Sequence, residues 1–165
     1  MNQLRKVVTA GLFAIALVAA FSISSQASPA SDVAAVHAAD DAWIKAYNSG
    51  QLENVVALYD ETAAIYPPGV PAVQGRAAIH TFFEKDMAGF AKTGLVMSLA
   101  AHPDGGVSGS TAWSSGTWYA KDKDGKVVDS GWYFSVSKKV GKSWLYVRDA
   151  WNSNGPATPP ATTQN

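Results

Sequence analysis

From Gly94 onward the chain is a succession of alternating, aromatic-rich runs punctuated by glycine, a pattern that leaves little room for anything but antiparallel sheet. Leu95 to Ala101, Thr111 to Lys121, Val128 to Lys138 and Ser143 to Trp151 are predicted strands. Asp104-Gly105-Gly106, Asp124-Gly125 and Gly141 mark the turns, because such sequences adopt the backbone of tight hairpins. In the last segment, alternation puts Leu145, Val147, Asp149 and Trp151 on one face. A carboxylate between Val147 and Trp151 is costly to bury unless it finds a partner or keeps its proton. Asp149 is therefore the first candidate for a binding or acid–base role. The competing reading is a structural carboxylate held by a backbone N–H, a Tyr hydroxyl or an indole N–H.

Helices precede the strands. Val33, Val36, Ile44 and Tyr47 recur at helical spacing, with Trp43 at the edge of the stripe, and predict a helix from Asp32 to Asn48. Ser31 or Asp32 can cap it and Gly50 can end it. Asp40 sits amid this stripe and is expected to lie on an exposed edge or pair with a Lys or Arg; the pocket mouth is its other possible place. Leu52, Val55, Val56 and Tyr59 predict a second, shorter helix. Thr62 to Tyr66 reads as a short strand, stopped by Pro67-Pro68-Gly69 and Pro71. Gly75 opens a third helix, with Ile79, Phe82, Phe83, Met87 and Phe90 along one face. Helices followed by a strand meander predict an α+β fold: a cone-like curved antiparallel sheet with three N-terminal helices packed on its concave face. The inside of such a cone is a natural pocket.

Arg5 and Lys6, the apolar run Val7 to Phe21 and the small residues of Ser25-Gln26-Ala27 have the pattern of a secretory signal peptide over residues 1–27, an uncleaved anchor being the alternative. A single domain over residues 28–154 and a disordered Pro/Thr-rich tail over 155–165 follow. The expectation is an exported protein, periplasmic or secreted, with no membrane contact after cleavage. Thirteen basic residues balance thirteen acidic ones, and no basic patch suggests a nucleic acid partner. The absence of Cys excludes disulfides, thiolate nucleophiles and Cys-based metal sites. His37, His80 and His102 read as isolated surface residues without metal-ligand spacing, so no metal is expected. Gly109-Ser110-Thr111-Ala112 lacks the second Gly of a nucleophile elbow, and no phosphate-binding Gly loop occurs, so no cofactor is expected.

Several segments resemble the nuclear transport factor 2-like superfamily, which includes ketosteroid isomerase and the SnoaL-like polyketide cyclases. They are Trp43 to Gly50, Val56 to Tyr59, Ala64 to Pro67 with Gly75 to Ile79, and Val147 to Asn154. Their order covers nearly all of residues 32–154 and implies the cone fold; it does not imply one reaction, since the scaffold hosts many. The isomerase's general base, which precedes a Pro, corresponds to Tyr66 before Pro67. Its oxyanion Tyr corresponds to Trp43, and its protonated Asp falls near Gly131 or Trp132. The resemblance therefore implies the fold without the isomerase machinery. The Val-Arg-Asp-x-Trp-Asn ending resembles secreted, uncharacterised members.

Alternation and this geometry together predict a pocket for a small apolar or aromatic molecule lined by Trp43, Tyr47, Tyr66, Phe83, Met87, Trp132, Phe134, Asp149 and Trp151. Trp113, Trp118, Trp132, Tyr133 and Phe134 divide between the two sheet faces, one lining the cone and the other covering a homodimer interface. The enzymatic alternative is a cofactor-independent isomerase, lyase or cyclase using Asp149 as acid or base and Tyr66 as hydrogen-bond donor. A third reading is a protein-association module with a filled interior.

Overall fold

The computed structural model describes residues 29–101 and 103–155. The expected signal segment, His102 and the tail beyond Gly155 lie outside the described residues.

Helix α1 spans Pro29–Asn48. It ends at Gly50, whose φ of 66° lets the Gln51 N–H turn back to the Ala46 carbonyl at 2.9 Å. Helix α2 is a single short element, Leu52–Val56. Tyr59, expected on this helix, instead begins strand β1 (Tyr59–Tyr66) and is fully buried. Pairing overrides the helical spacing here: the Leu58 carbonyl accepts the Tyr146 N–H at 2.8 Å, which draws the chain into the sheet. After the proline loop, β2 (Val73–Gln74) pairs with β1, and α3 (Arg76–Ala91) buries Ile79, Phe83 and Met87 one turn apart.

The remaining strands are β3 (Val96–Leu99), β4 (Asp104–Ser108), β5 (Thr111–Lys121), β6 (Val127–Val140) and β7 (Ser143–Trp151). Asp104-Gly105-Gly106, expected as a turn, lies within β4. Its glycines serve close packing: a Cβ on Gly106 would lie 2.7 Å from Trp113 Nε1. The strands form one curved open sheet in the order β2-β1-β7-β6-β5-β3, with β4 also paired to β5. The fold is α+β as expected, but the sheet is not wholly antiparallel. Strand β1 runs parallel to β7, because the whole of β2 to β6 connects them. The main core, including Val55, Tyr59, Ile65, Ile79, Phe83 and Tyr146, fills the space between helices and sheet.

One irregularity shapes the interior. Val136 opposes Arg148 and Ser137 opposes Tyr146, so Val147 is an extra residue in β7. The bulge reverses the alternation. Trp144 and Tyr146 are buried, whereas strict alternation grouped Leu145 and Val147 with Asp149.

Candidate ligand site in the cone

A cavity of about 290 Å³ opens between α1, α3 and the inner faces of β3, β5, β6 and β7. Its walls are mostly apolar, built from Trp43, Phe83, Trp118 and Trp151 with Met97 and Leu99. The Trp43 ring stacks on Tyr47 at 4.9 Å and meets Phe83 edge-on at 5.7 Å; Phe83 in turn stacks with Trp151 at 6.3 Å. Such contacts fix ring orientation beyond simple burial.

Glycines make room for two of the wall aromatics. Gly116 on β5 lies opposite Tyr133, and a Cβ there would come 2.8 Å from the Tyr133 ring. Gly131 on β6 lies opposite Trp118 and would clash with its indole in the same way. The Trp118 Nε1 donates to the Asn152 carbonyl at 3.0 Å, which holds that indole flat across the strand.

Asp149 faces this cavity. The Tyr59 hydroxyl donates to Asp149 Oδ2 at 2.6 Å, and Trp43 Nε1 donates to the Tyr59 oxygen at 2.9 Å. Among the described residues Oδ1 makes no hydrogen bond. The residue is partly exposed and belongs to the cavity lining. Removal from water pushes its pKa up to about 7; the Tyr59 hydrogen bond opposes that rise and the Asp40 charge adds to it.

A second carboxylate lines the same cavity and acts on Asp149. Asp40 is 4% exposed, accepts a 2.6 Å hydrogen bond from Tyr146 at Oδ1 and has a 3.4 Å contact from the Tyr133 hydroxyl at Oδ2. The expected exposed edge or Lys/Arg partner is thus corrected: tyrosyl hydroxyls take that part, and α1 packs its stripe directly on the sheet. Burial raises the Asp40 pKa, with the Tyr146 hydrogen bond acting against it. At the rim, exposed Asp86 accepts a 2.6 Å bond from Tyr47. The same charge and the lost hydration push the Tyr47 hydroxyl well above its ordinary range.

Of the predicted pocket residues, Trp43, Tyr47, Phe83, Asp149 and Trp151 line the cavity. Met87 is buried in the adjoining core. Tyr66, Trp132 and Phe134 do not reach it, being 44%, 50% and 42% exposed. The reason is parity. Ile65 opposes Asp149 and points inward, so Tyr66 points out; Tyr133 and Ser135 line the cavity, so Trp132 and Phe134 point out. Tyr66 is therefore not the donor beside Asp149. Tyr59, Tyr133 and Tyr146 carry the hydroxyls at the carboxylates, and they were missed. Helical spacing places Tyr59 on a helix, and strict alternation along β7 hides Tyr146. Asp40 did carry a signal, its place in an apolar stripe.

Among the described residues, His37 and His80 have separate surroundings. His80 contacts Glu53 at 2.9 Å, while His37 Nε2 is buried against Gly105 without a hydrogen bond, so it is not the surface residue expected.

Comparison with known structures gives the same architecture. An NTF2-like protein of unknown function from Pseudomonas putida KT2440 superposes with a TM-score of 0.66 at 15% identity, covering 74% of this chain and 87% of that one. An NTF2-like protein with a cystatin-like fold from Novosphingobium aromaticivorans gives 0.65 at 18% identity, covering 80% and 88%. A ketosteroid isomerase-like protein from Erwinia carotovora atroseptica gives 0.60 at 19% identity, covering 76% and 98%. Identities this low speak for the fold alone. No curated protein sequence matches the chain significantly. The SnoaL-like domain matches residues 41–142, more than half of the chain. A match over the helices, the proline loop and most of the sheet makes the kinship plain: this chain belongs to the SnoaL-like domain family.

Proposed function

We propose that this is an exported domain that binds a small, largely apolar molecule inside the cone. The observation that carries this reading is the aromatic-walled cavity of about 290 Å³ with one unbonded carboxylate oxygen facing into it. That volume is near the small end of ligand pockets, roughly 300–1,000 Å³. Apolar walls with few fixed polar groups are the usual composition of such sites. Export rests on the pattern of residues 1–27. Titration with hydrophobic ligands tests the pocket, because Trp43, Trp118 and Trp151 line it. Their fluorescence and the melting temperature should respond; if neither responds across a broad panel, the reading is lost.

A second reading is catalytic, and the pKa of about 7 at Asp149 favours it. Asp149 Oδ1 would take a proton from the carbon beside a carbonyl, and that C–H electron pair would become the enolate. Tyr133, held by Asp40 only at 3.4 Å, would turn its hydroxyl to the enolate oxygen. The proton returned to another carbon completes an isomerisation without a cofactor. A panel of enolisable ketones assayed with wild type and Asp149→Asn tests this; turnover that survives the substitution removes Asp149 as base.

The outer face suggests a homodimer. Trp113 and Phe134 stack there at 6.4 Å, and Trp132 stands half exposed on the same side. Clustered exposed aromatics of this kind suit an interface between two copies.

A further inference from the structure

We infer that the ligand of this cavity is an apolar organic cation: a protonated amine or a quaternary ammonium on an aromatic or aliphatic body. This rests on the binding reading above and narrows it. The cavity is lined by Asp40, Asp86, Asp129 and Asp149, and no Lys, Arg or His lines it among the described residues. The tyrosyl hydroxyls that bond the two inner acids are neutral donors. Tyr59 holds one oxygen of Asp149 and Tyr146 one oxygen of Asp40, both at 2.6 Å. Among the described residues the second oxygen of Asp149 is unbonded; the second oxygen of Asp40 has the long 3.4 Å contact, and the Ser114 hydroxyl also acts on that carboxylate. Acceptor capacity therefore remains at both inner acids, which line one cavity and act on each other.

No basic side chain lines the chamber among the described residues; His37, which acts on Asp40, is not among its lining residues. A neutral ketone or alcohol could use a tyrosyl hydroxyl but would bring no positive charge to either carboxylate. An anion would meet the same four carboxyl groups and no basic partner in the lining. A cation meets charge-assisted hydrogen bonds, about twice as strong as neutral ones. The rest of the lining suits the same guest. Indole and phenol faces attract a cation through their quadrupole, with Trp the best of them, and this attraction strengthens where water is excluded. The chamber carries three Trp rings on its wall. Asp86 and Asp129 extend the negative lining beyond the two inner acids and favour entry of positively charged ligands.

The test is a charge series on one skeleton. The protein is titrated by calorimetry in mildly alkaline buffer with naphthylmethylamine, naphthylmethanol and naphthoate. The amine is expected to bind at least about tenfold tighter than the alcohol, and naphthoate not at all. In Asp149→Asn the amine-to-alcohol preference is expected to shrink by about the same factor. An alcohol that binds as tightly as the amine, or naphthoate that binds best, overturns the cation and leaves the pocket standing. Silence from all three, in heat and in melting temperature, overturns both. The wild-type series decides the matter even if Asp149→Asn fails to fold.

Discussion

The Tyr59 hydroxyl donates to Asp149 across a gap of 2.6 Å, joining the first residue of β1 to the third-from-last residue of β7. The bond favours the charged carboxylate, and it also occupies the oxygen of Tyr59 that Trp43 reaches from α1. Tyr59→Phe removes both contacts. The expected cost is about 1–3 kcal/mol in urea unfolding, since Trp43 Nε1 is left without an acceptor. The Asp149 pKa, followed by carboxyl-carbon NMR, is expected to rise above its value of about 7. A fall would contradict the assigned role of the hydroxyl.

Asp149 also sets a pH dependence of stability. Its folded pKa of about 7 lies above the ordinary carboxyl value of about 3.9, so the folded state holds the proton more tightly. This group's contribution is complete below about pH 4, is lost as pH rises toward 7, and changes little above that. The loss is at most about 4 kcal/mol. Asp40 and Asp86 are shifted in the same direction. Thermal melts of wild type should therefore fall between about pH 4 and pH 7, and those of Asp149→Asn should fall less. Equal slopes would show that Asp149 titrates normally.

Glycine substitutions separate packing from backbone freedom. A Cβ at Gly131 would lie 2.0 Å from the Asn152 carbonyl oxygen and 2.6 Å from Trp118 Nε1. Gly131→Ala is expected to cost about 2 kcal/mol or more and to shift Trp118 into the chamber, weakening any ligand. At Gly89 on α3 nothing lies within 4 Å, and Gly89→Ala is expected to stabilise by about 0.5–1 kcal/mol. Chemical denaturation of the pair checks the contrast.

The outer face predicts association. Sedimentation of the purified protein is expected to show a dimer. Trp132→Lys and Phe134→Lys, both at exposed positions, should give monomers with nearly unchanged unfolding free energy. A wild-type protein that sediments as a monomer would falsify the homodimer.

The fold was largely legible because its signals are local and repeated. Helical spacing from Val36 to Tyr47 and from Ile79 to Met87, with glycines at strand ends, needs no tertiary knowledge. The interior was only half legible. Trp43, Tyr47, Phe83, Asp149 and Trp151 could be placed from periodicity and the family resemblance. Tyr66, Trp132 and Phe134 were misplaced, because which parity faces inward depends on register rather than composition. Asp40 was misjudged for a different reason. A buried acid is improbable in isolation, and its tyrosyl partners come from strands about a hundred residues away. Tyr59 lay where spacing continues a helix but pairing with β7 ends it.

The unpaired Val147 has a consequence for how this chamber can change over time. Replacing a wall residue alters one contact, and its neighbours can absorb the difference. Dropping a single codon at that point would restore even pairing and turn either Tyr146 or Asp149 away from the hollow, dismantling the acid pair in one stroke. Variation in this strand should therefore proceed by exchange of side chains while its length stays fixed.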